Sequence, residues 1–216
     1  MFFLPLTVII FLVFLLLPFL IFFVQVSLTE TALVKLGISP NAAILTIYLC
    51  LIGSLINIPL FTRNVRVEDT VSCPVTYIGG SVLYGSHGKQ IVAVNVGGAI
   101  IPLLICVYLF PKTPLLKTLI ATAISVLIVY KLARPVPMLG IGVPILIPPF
   151  AAAGLALVIS PKNPLPVAYI SGVLGVLIGA DLLNLRCFAA SGIMSIGGAG
   201  VFDGIFLVGI ISALLA

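Results

Sequence analysis

Long apolar runs, separated by short polar or proline-containing links, dominate this 216-residue sequence. Several runs approach the roughly 20 residues that a helix needs to cross a lipid bilayer. The pattern predicts one all-α polytopic membrane domain over residues 1–216, with about seven transmembrane segments. The predicted segments cover about residues 4–26, 41–61, 91–110, 114–132, 138–160, 165–185 and 200–216.

The longest polar stretch, residues 62–90, separates the second predicted span from the third. It alternates apolar and charged residues at Val65-Arg66-Val67-Glu68 and contains the turn-forming pair Gly79-Gly80. This pattern predicts a small β-hairpin. Because lipid cannot satisfy an open strand, we expect the hairpin at the surface or inside the protein.

The fifth apolar run, residues 138–160, contains Pro144, Pro148 and Pro149 together with several glycines. A continuous helix through three prolines would leave backbone carbonyls without partners. We therefore expect this segment to be broken or partly re-entrant.

Composition supports the membrane assignment, since 62% of the residues are hydrophobic and only 7% are charged. A soluble domain carries about 25% charged residues. The ten Lys and Arg residues are scattered singly between apolar runs, so no nucleic-acid partner is expected and the predicted surroundings are membrane lipids. The four cysteines form no C-x-x-C pair, so neither a metal nor a cofactor is predicted.

The distribution of basic residues predicts how the chain crosses the cell membrane. With seven spans, six Lys and Arg residues fall on one side and four on the other. The bias favours a multi-pass protein with a cytoplasmic N-terminus, and with the loop between the sixth and seventh spans on the same side.

Two of the five acidic residues, Asp181 and Asp203, lie in or beside the last two apolar runs. Ionisable residues at membrane depth are costly and usually face a bundle interior or a wet cavity. Consecutive antiparallel helices would bring the two carboxyl groups to similar depth, where they could share a proton and activate water. Asn184 would orient a partner or substrate, and Gly198 and Gly200 would let a peptide approach the backbone closely.

Other interpretations of these aspartates remain open. They could be structural hydrogen-bond partners in a non-catalytic scaffold, or bind protons or cations in a small ion-coupled transporter. In the transporter interpretation, Asn95 and the interrupted fifth segment would form a site near the membrane midplane. Asn95 lies in the third predicted span, so its amide needs partners and serves either as a link between helices or as part of a site.

The tail of the chain, Asp181-Leu-Leu-Asn-Leu and Gly197-Gly-Ala-Gly-Val-Phe-Asp-Gly, resembles a family of uncharacterised small polytopic membrane proteins of bacteria and archaea. The resemblance extends over Ala93-Val-Asn-Val-Gly-Gly-Ala-Ile-Ile-Pro and the fifth segment. This family implies no chemistry.

More distantly, the layout of the aspartates is similar to that of the presenilin and signal peptide peptidase group. That resemblance implies an intramembrane aspartyl protease acting on membrane-embedded peptides, with Asp181 and Asp203 as its catalytic pair. Ala180 stands where the group has Tyr, and two residues separate Gly200 from Asp203. Pro148 and Pro149 would take the place of the group's Pro-Ala-Leu turn.

Overall fold

The structure is a computed structural model that describes residues 6–65, 88–136, 140–185, 192–198 and 204–216. Within these ranges the chain is mostly helical, with a small three-stranded sheet. The α-helices are α1 (Leu6–Lys35), α2 (Pro40–Gly53), α3 (Ile101–Leu109), α4 (Leu115–Leu132), α5 (Ile147–Ile159), α6 (Pro164–Val176) and α7 (Gly204–Leu215). Two π-helices, π1 (Val96–Ile100) and π2 (Leu177–Leu182), precede α3 and follow α6, and a 3-10 turn covers Phe110–Lys112.

The sheet joins segments that are far apart in the sequence. Its strands are β1 (Asn57–Val65), β2 (Gly88–Asn95) and β5 (Gly192–Ile196), in the order β1-β2-β5. Strand β2 is antiparallel to β1 and parallel to β5. A separate pair is formed by β3 (Arg134–Val136) and β4 (Gly140–Gly142).

The described residues do not form the seven transmembrane helices that the sequence predicted. Among the described residues, three helices are long and apolar enough to cross a membrane: Ile10–Lys35, Leu115–Leu132 and Pro164–Leu182. Four other apolar helices have between 10 and 17 residues. Three such helices indicate a membrane protein, while the shorter ones do not qualify as spans by length.

The second and third predicted spans were wrong because strands interrupt them. Helix α2 ends at Gly53 and β1 starts at Asn57, inside the predicted span 41–61. Strand β2 runs to Asn95, so it occupies the start of the predicted span 91–110. Short apolar strands rich in Ile and Val cannot be separated from buried helices by hydropathy alone.

The described ends of the predicted hairpin belong to an antiparallel strand pair that begins before residue 62 and continues past residue 90. Strands β1 and β2 pair from Asn57 opposite Asn95 to Val65 opposite Gly88, whereas the prediction covered residues 62–90. Residues 66–87, which include the predicted turn, lie outside the described ranges. The third strand, β5, was not predicted at all.

Helix α1 is longer than its predicted span 4–26 and includes most of the polar segment that was expected to be a link. The hydroxyl groups of Thr29 and Thr31 donate to the carbonyl oxygens of Gln25 and Ser27, at 2.7 and 2.8 Å. Such i−4 bonds satisfy the polar side chains inside the helix. The polar composition of this segment therefore did not end the helix, which stops at Lys35.

The fifth segment contains a strand and a short helix. Helix α5 starts at Ile147, so Pro148 and Pro149 stand in its first turn, where a missing backbone N–H costs little. Both prolines are buried. Within α5 they begin the helix and do not interrupt it.

Helix α6 is the centre of the helical bundle, with α4, α5 and α7 packed around it. Its side chains from Val167 to Val173 are all buried. Helix α7 runs antiparallel to α6, since Gly209 contacts Tyr169 and Val173 while Ala216 packs near Val167 and Ala168. The first residue of α7 therefore lies toward the end of α6 that leads into π2.

Candidate functional site

Asp181 lies in π2, directly after α6, and its side chain is half-buried. Its Oδ2 accepts a hydrogen bond from the backbone N–H of Gly197, at 2.9 Å. Donation to a carboxylate is charge-assisted and therefore stronger than a neutral hydrogen bond. Single π-helical turns are frequent at functional sites, because they turn a side chain away from the regular helical repeat.

Gly197 has to be a glycine in this position. Its φ of +84° is in the left-handed region. A Cβ there would lie 2.6 Å from the Cβ of Ala99 and 2.8 Å from its backbone nitrogen. The close contact with π1 places the Gly197 N–H against Asp181.

Asn95 occupies the junction between β2 and π1, and it is completely buried. Its Oδ1 accepts from the N–H of Gly98 at 2.8 Å, which caps π1. Its Nδ2 donates to the carbonyl oxygen of Ser54 at 2.8 Å and to Oδ1 of Asn57 at 3.2 Å. One amide thus links α2, β1 and π1.

The network continues from Asn57 to the third strand. The hydroxyl of Ser195, on β5, donates to Oδ1 of Asn57 at 2.5 Å. A Cβ on Gly197 would also lie 3.0 Å from the carbonyl carbon of Gly98, the residue whose N–H binds Asn95. The structure therefore brings Asp181 and Asn95 into one polar region, which we call the sheet junction: Ser54, Asn57, Asn95, Gly98, Asp181, Ser195 and Gly197.

The other predicted site residues lie in different places. Gly198 is next to Gly197 and has a positive φ of 70°. Asn184 is buried, and its Nδ2 donates to the carbonyl oxygen of Gly179 at 2.9 Å, so that donor is used within its own helical segment. Gly200 and Asp203 lie outside the described residues, and so does the separation of the two predicted catalytic carboxyl groups.

Pro148 and Pro149 belong to α5, whose main neighbours are α4, α6 and α7. Their predicted role in substrate binding stays a prediction.

Arg63 was not selected from the sequence, but its guanidinium group links β2 to the helical residues that follow π2. Its Nε donates to Oε1 of Gln90 at 2.6 Å, and its Nη2 donates to the carbonyl oxygen of Leu185 at 2.6 Å. Gln90 is almost completely buried on β2. A cation at the carboxyl end of a helix is stabilising, since the last carbonyl groups there lack helical partners.

The signal for Gln90 was available in the sequence. A glutamine beside the apolar run Ile91-Val-Ala-Val needs a partner when the strand is buried. Arg63 and Ser195 carried no comparable signal, because only the pairing of β2 with β1 and β5 brings them to the site.

The sheet junction contains one half-buried carboxyl group, that of Asp181, which accepts the backbone N–H of Gly197. Among the described residues, no group of three or more His, Cys, Asp or Glu side chains is arranged to hold a metal ion. Cys50 and Cys106 are buried free thiols outside the junction. The sheet junction therefore offers one carboxyl group for proton transfer or cation contact.

These features define a mostly helical membrane protein with a small sheet set against a carboxylate-bearing π-helix. Residues 51–215 match the family described as "Protein of unknown function (DUF1614)". Because the match covers more than half of the chain, the protein belongs to this family, as the tail motifs predicted. Comparison with curated proteins and with solved structures gives no match, so the predicted resemblance to presenilin and signal peptide peptidase has no support from them.

Proposed function

We propose that the protein is an intramembrane aspartyl hydrolase that cleaves peptide bonds of membrane-embedded substrates with Asp181 and Asp203. The observation that carries the proposal is the position of Asp181. Its carboxyl group accepts the N–H of Gly197, which directly follows β5. The chain between Gly197 and the start of α7 at Gly204 includes Asp203. The antiparallel packing of α6 and α7 supports the proposal, because it is compatible with two carboxyl groups at similar depth.

A hydrolytic site needs access to water, and the position of the sheet suggests where water reaches the protein. Among the described residues, β1 and β5 each pair on one side only, with β2. Open strand edges are not tolerated in hydrocarbon and occur at membrane depth only where they are covered by protein or line a wet cavity. Asp181 is bonded to the residue directly after β5, so it lies where water is expected.

The proposed reaction follows the logic of a shared proton. One carboxylate removes a proton from water while the other carboxylic acid protonates the carbonyl oxygen of the peptide bond. The water oxygen bonds to the carbonyl carbon, and the tetrahedral intermediate then breaks its C–N bond as the nitrogen takes a proton. The products are a carboxyl group and an amine, and the pair returns to its starting state of one proton on two carboxyl groups.

Cleavage of a labelled apolar peptide by the purified protein in detergent or liposomes tests the proposal. Asp181→Asn and Asp203→Asn should each abolish cleavage, because an amide cannot exchange the proton. In ¹⁸O-labelled water, the new carboxyl terminus should gain one labelled oxygen. Glu30→Gln is the matched control, since it makes the same change on α1, and it should retain full activity. Activity in either Asn variant, or none in the wild type across a peptide library, would reject the proposal.

A proton- or cation-coupled transporter is the second candidate, favoured by the two π-helices. At the sheet junction, π1 begins the helix that continues as α3, and π2 continues α6. Irregular helix ends form ion and substrate sites in transporters. Proteoliposomes loaded with a pH-sensitive dye, under an imposed Na⁺ or pH gradient, separate the two functions. Flux that disappears in Asp181→Asn, without any peptide cleavage, would favour the transporter.

A further inference from the structure

Four lysines lie at the end of the helical bundle opposite Asp181, in helix ends and connections that the fold brings together. The hydroxyl of Tyr108 donates to the carbonyl oxygen of Gly37 at 3.0 Å, joining the end of α3 to the loop after α1. Nδ2 of Asn163 donates to the carbonyl oxygen of Lys112 at 3.2 Å, joining the start of α6 to the loop before α4. The lysines of this cluster, which we call the lysine end, are Lys35, Lys112, Lys117 and Lys162.

The lysine end carries positive charge without matching acid. All four side chains are exposed, and none forms an ion pair with a described residue. The Lys112 ammonium lies 3.6 Å from the ring centroid of Tyr108, an aromatic contact that leaves its charge uncompensated. Of the two described acidic residues, Asp181 is at the far end of α6, and Glu30 stands five residues before Lys35 on α1.

Helix α4 adds to this positive charge, because it begins at the lysine end and no side chain caps its first N–H groups. Helix α6 also begins there, but Pro164 and Pro166 have no N–H to offer. Uncapped N–H groups carry partial positive charge and are free to donate to an anion. Lys117 lies in the first turn of α4, and Lys162 lies two residues before α6.

An exposed apolar surface adjoins these charges. On α3 and at the start of α4, the exposed apolar side chains are Leu104, Val107, Leu115, Leu116 and Leu119. Leu115 and Leu116 immediately precede Lys117. A partner that fits both parts must have an anionic head and an apolar tail.

We propose that the lysine end binds the headgroup of an anionic phospholipid, with the acyl chains against the exposed faces of α3 and α4. Clusters of basic residues next to a membrane-embedded helix attract anionic lipids, and each contributes a similar increment. Tyr108 would lie at headgroup level, as interfacial tyrosines do. The proposal does not depend on the function of Asp181.

Native mass spectrometry of the full chain in detergent, titrated with phosphatidylglycerol or phosphatidylcholine, tests the proposal. The wild type should bind phosphatidylglycerol at least about tenfold more tightly than phosphatidylcholine. The variant Lys112→Gln/Lys117→Gln/Lys162→Gln should lose this preference. The matched control Lys89→Gln/Lys131→Gln/Arg134→Gln removes three exposed positive charges at the other end of the bundle and should keep it.

Two outcomes would overturn the proposal. The first is an equal loss of preference in both triple variants, which would indicate a general effect of net charge. The second is displacement of phosphatidylglycerol by millimolar inorganic phosphate, which would indicate a site for free phosphate. Thermal unfolding of the variants shows whether they are folded, and the exposed positions of all six residues lead us to expect unchanged midpoints.

Discussion

The sheet junction and the interface between α4 and α6 both bury polar side chains, but they use them differently. At the sheet junction, Asn95 makes three hydrogen bonds to groups on three segments. At the helix interface, the buried hydroxyl groups of Thr122 and Ser125 have no hydrogen-bond partner in the described part of the chain. Asn95 and Ser125 are both almost completely buried, but only Asn95 has hydrogen-bond partners for its side chain.

The difference follows from the backbone in each region. Helices α4 and α6 satisfy their own backbone groups, so their side chains need only allow close packing. Ser125 faces Gly175, and this pair of small residues lets the helices approach closely. The sheet junction contains a strand end and a π-helix, whose backbone groups need partners from side chains. The comparison therefore predicts that substitutions at the sheet junction lower the stability of the fold strongly, and that substitutions at the helix interface lower it less.

Gly97→Ala should have the largest effect of the changes considered. The new Cβ would overlap the carbonyl oxygen of Cys50 and lie 2.5 Å from the backbone nitrogen of Ser54. Both obstacles are backbone atoms, so we expect a cost of about 4 kcal/mol or more, seen as loss of folded protein in size-exclusion chromatography. Gly154→Ala is the control, because nothing lies within 4 Å of its new Cβ, and it should fold normally. Normal folding of Gly97→Ala would contradict the close packing of π1 on α2.

Asn95→Leu should cost about 3 kcal/mol, because it leaves the Gly98 N–H and the Ser54 carbonyl buried without a partner. Thermal unfolding in detergent measures the loss as a lower midpoint. Asn64→Leu, on the exposed side of β1, serves as the control and should change the midpoint little. If the two variants behaved alike, the contrast between the junction and the helix interface would have no basis.

Gly175→Ala should cost about 2 kcal/mol, since its Cβ would collide with Oγ of Ser125. Replacing Ser125 by Ala removes that oxygen, so the double variant should recover about 1 kcal/mol through a favourable coupling. Recovery would be incomplete because the new Cβ still lies 3.0 Å from the Cβ of Ser125. Strictly additive effects in the double-mutant cycle would show that the two residues do not meet.

Thr122→Val should have the smallest effect, within about 0.5 kcal/mol of the wild type and stabilising in sign, because it removes an unpaired buried hydroxyl at nearly constant volume. Thr118→Val is the matched change on the same helix. Its hydroxyl donates to the carbonyl oxygen of Pro114 at 3.0 Å, so its loss should cost about 1 kcal/mol. A larger loss at Thr122 than at Thr118 would mean that Thr122 has a partner.

The sequence predicted the longest regular helices well, and the irregular segments poorly. The predicted span 114–132 agrees with α4, and the predicted span 165–185 is close to α6 and π2 together. These features depend on local periodicity, which the sequence shows directly.

The candidate site was predicted in part. Asp181 and Asn95 were selected because polar groups in apolar runs need partners, and each has one at the sheet junction. Their proximity to one another was not predicted, and neither were the roles of Arg63, Asn57 and Ser195. The contacts of Arg63 with Gln90 and of Asn57 with Asn95 depend on β1 pairing with β2. The role of Ser195 depends on β5 joining β2, a contact between segments about 100 residues apart that no local pattern encodes.

The sequence by itself determined that the chain is a membrane protein, where its long helices lie, and that Asp181 stands at the end of one of them. These properties follow from composition and local periodicity. The tertiary structure alone decided that three apolar runs contain strands. It also decided that Gly197, which follows β5, lies against π1 and donates its N–H to Asp181 in π2. The physical reason is that apolar strands and apolar helices have the same hydropathy, and only long-range backbone pairing distinguishes them.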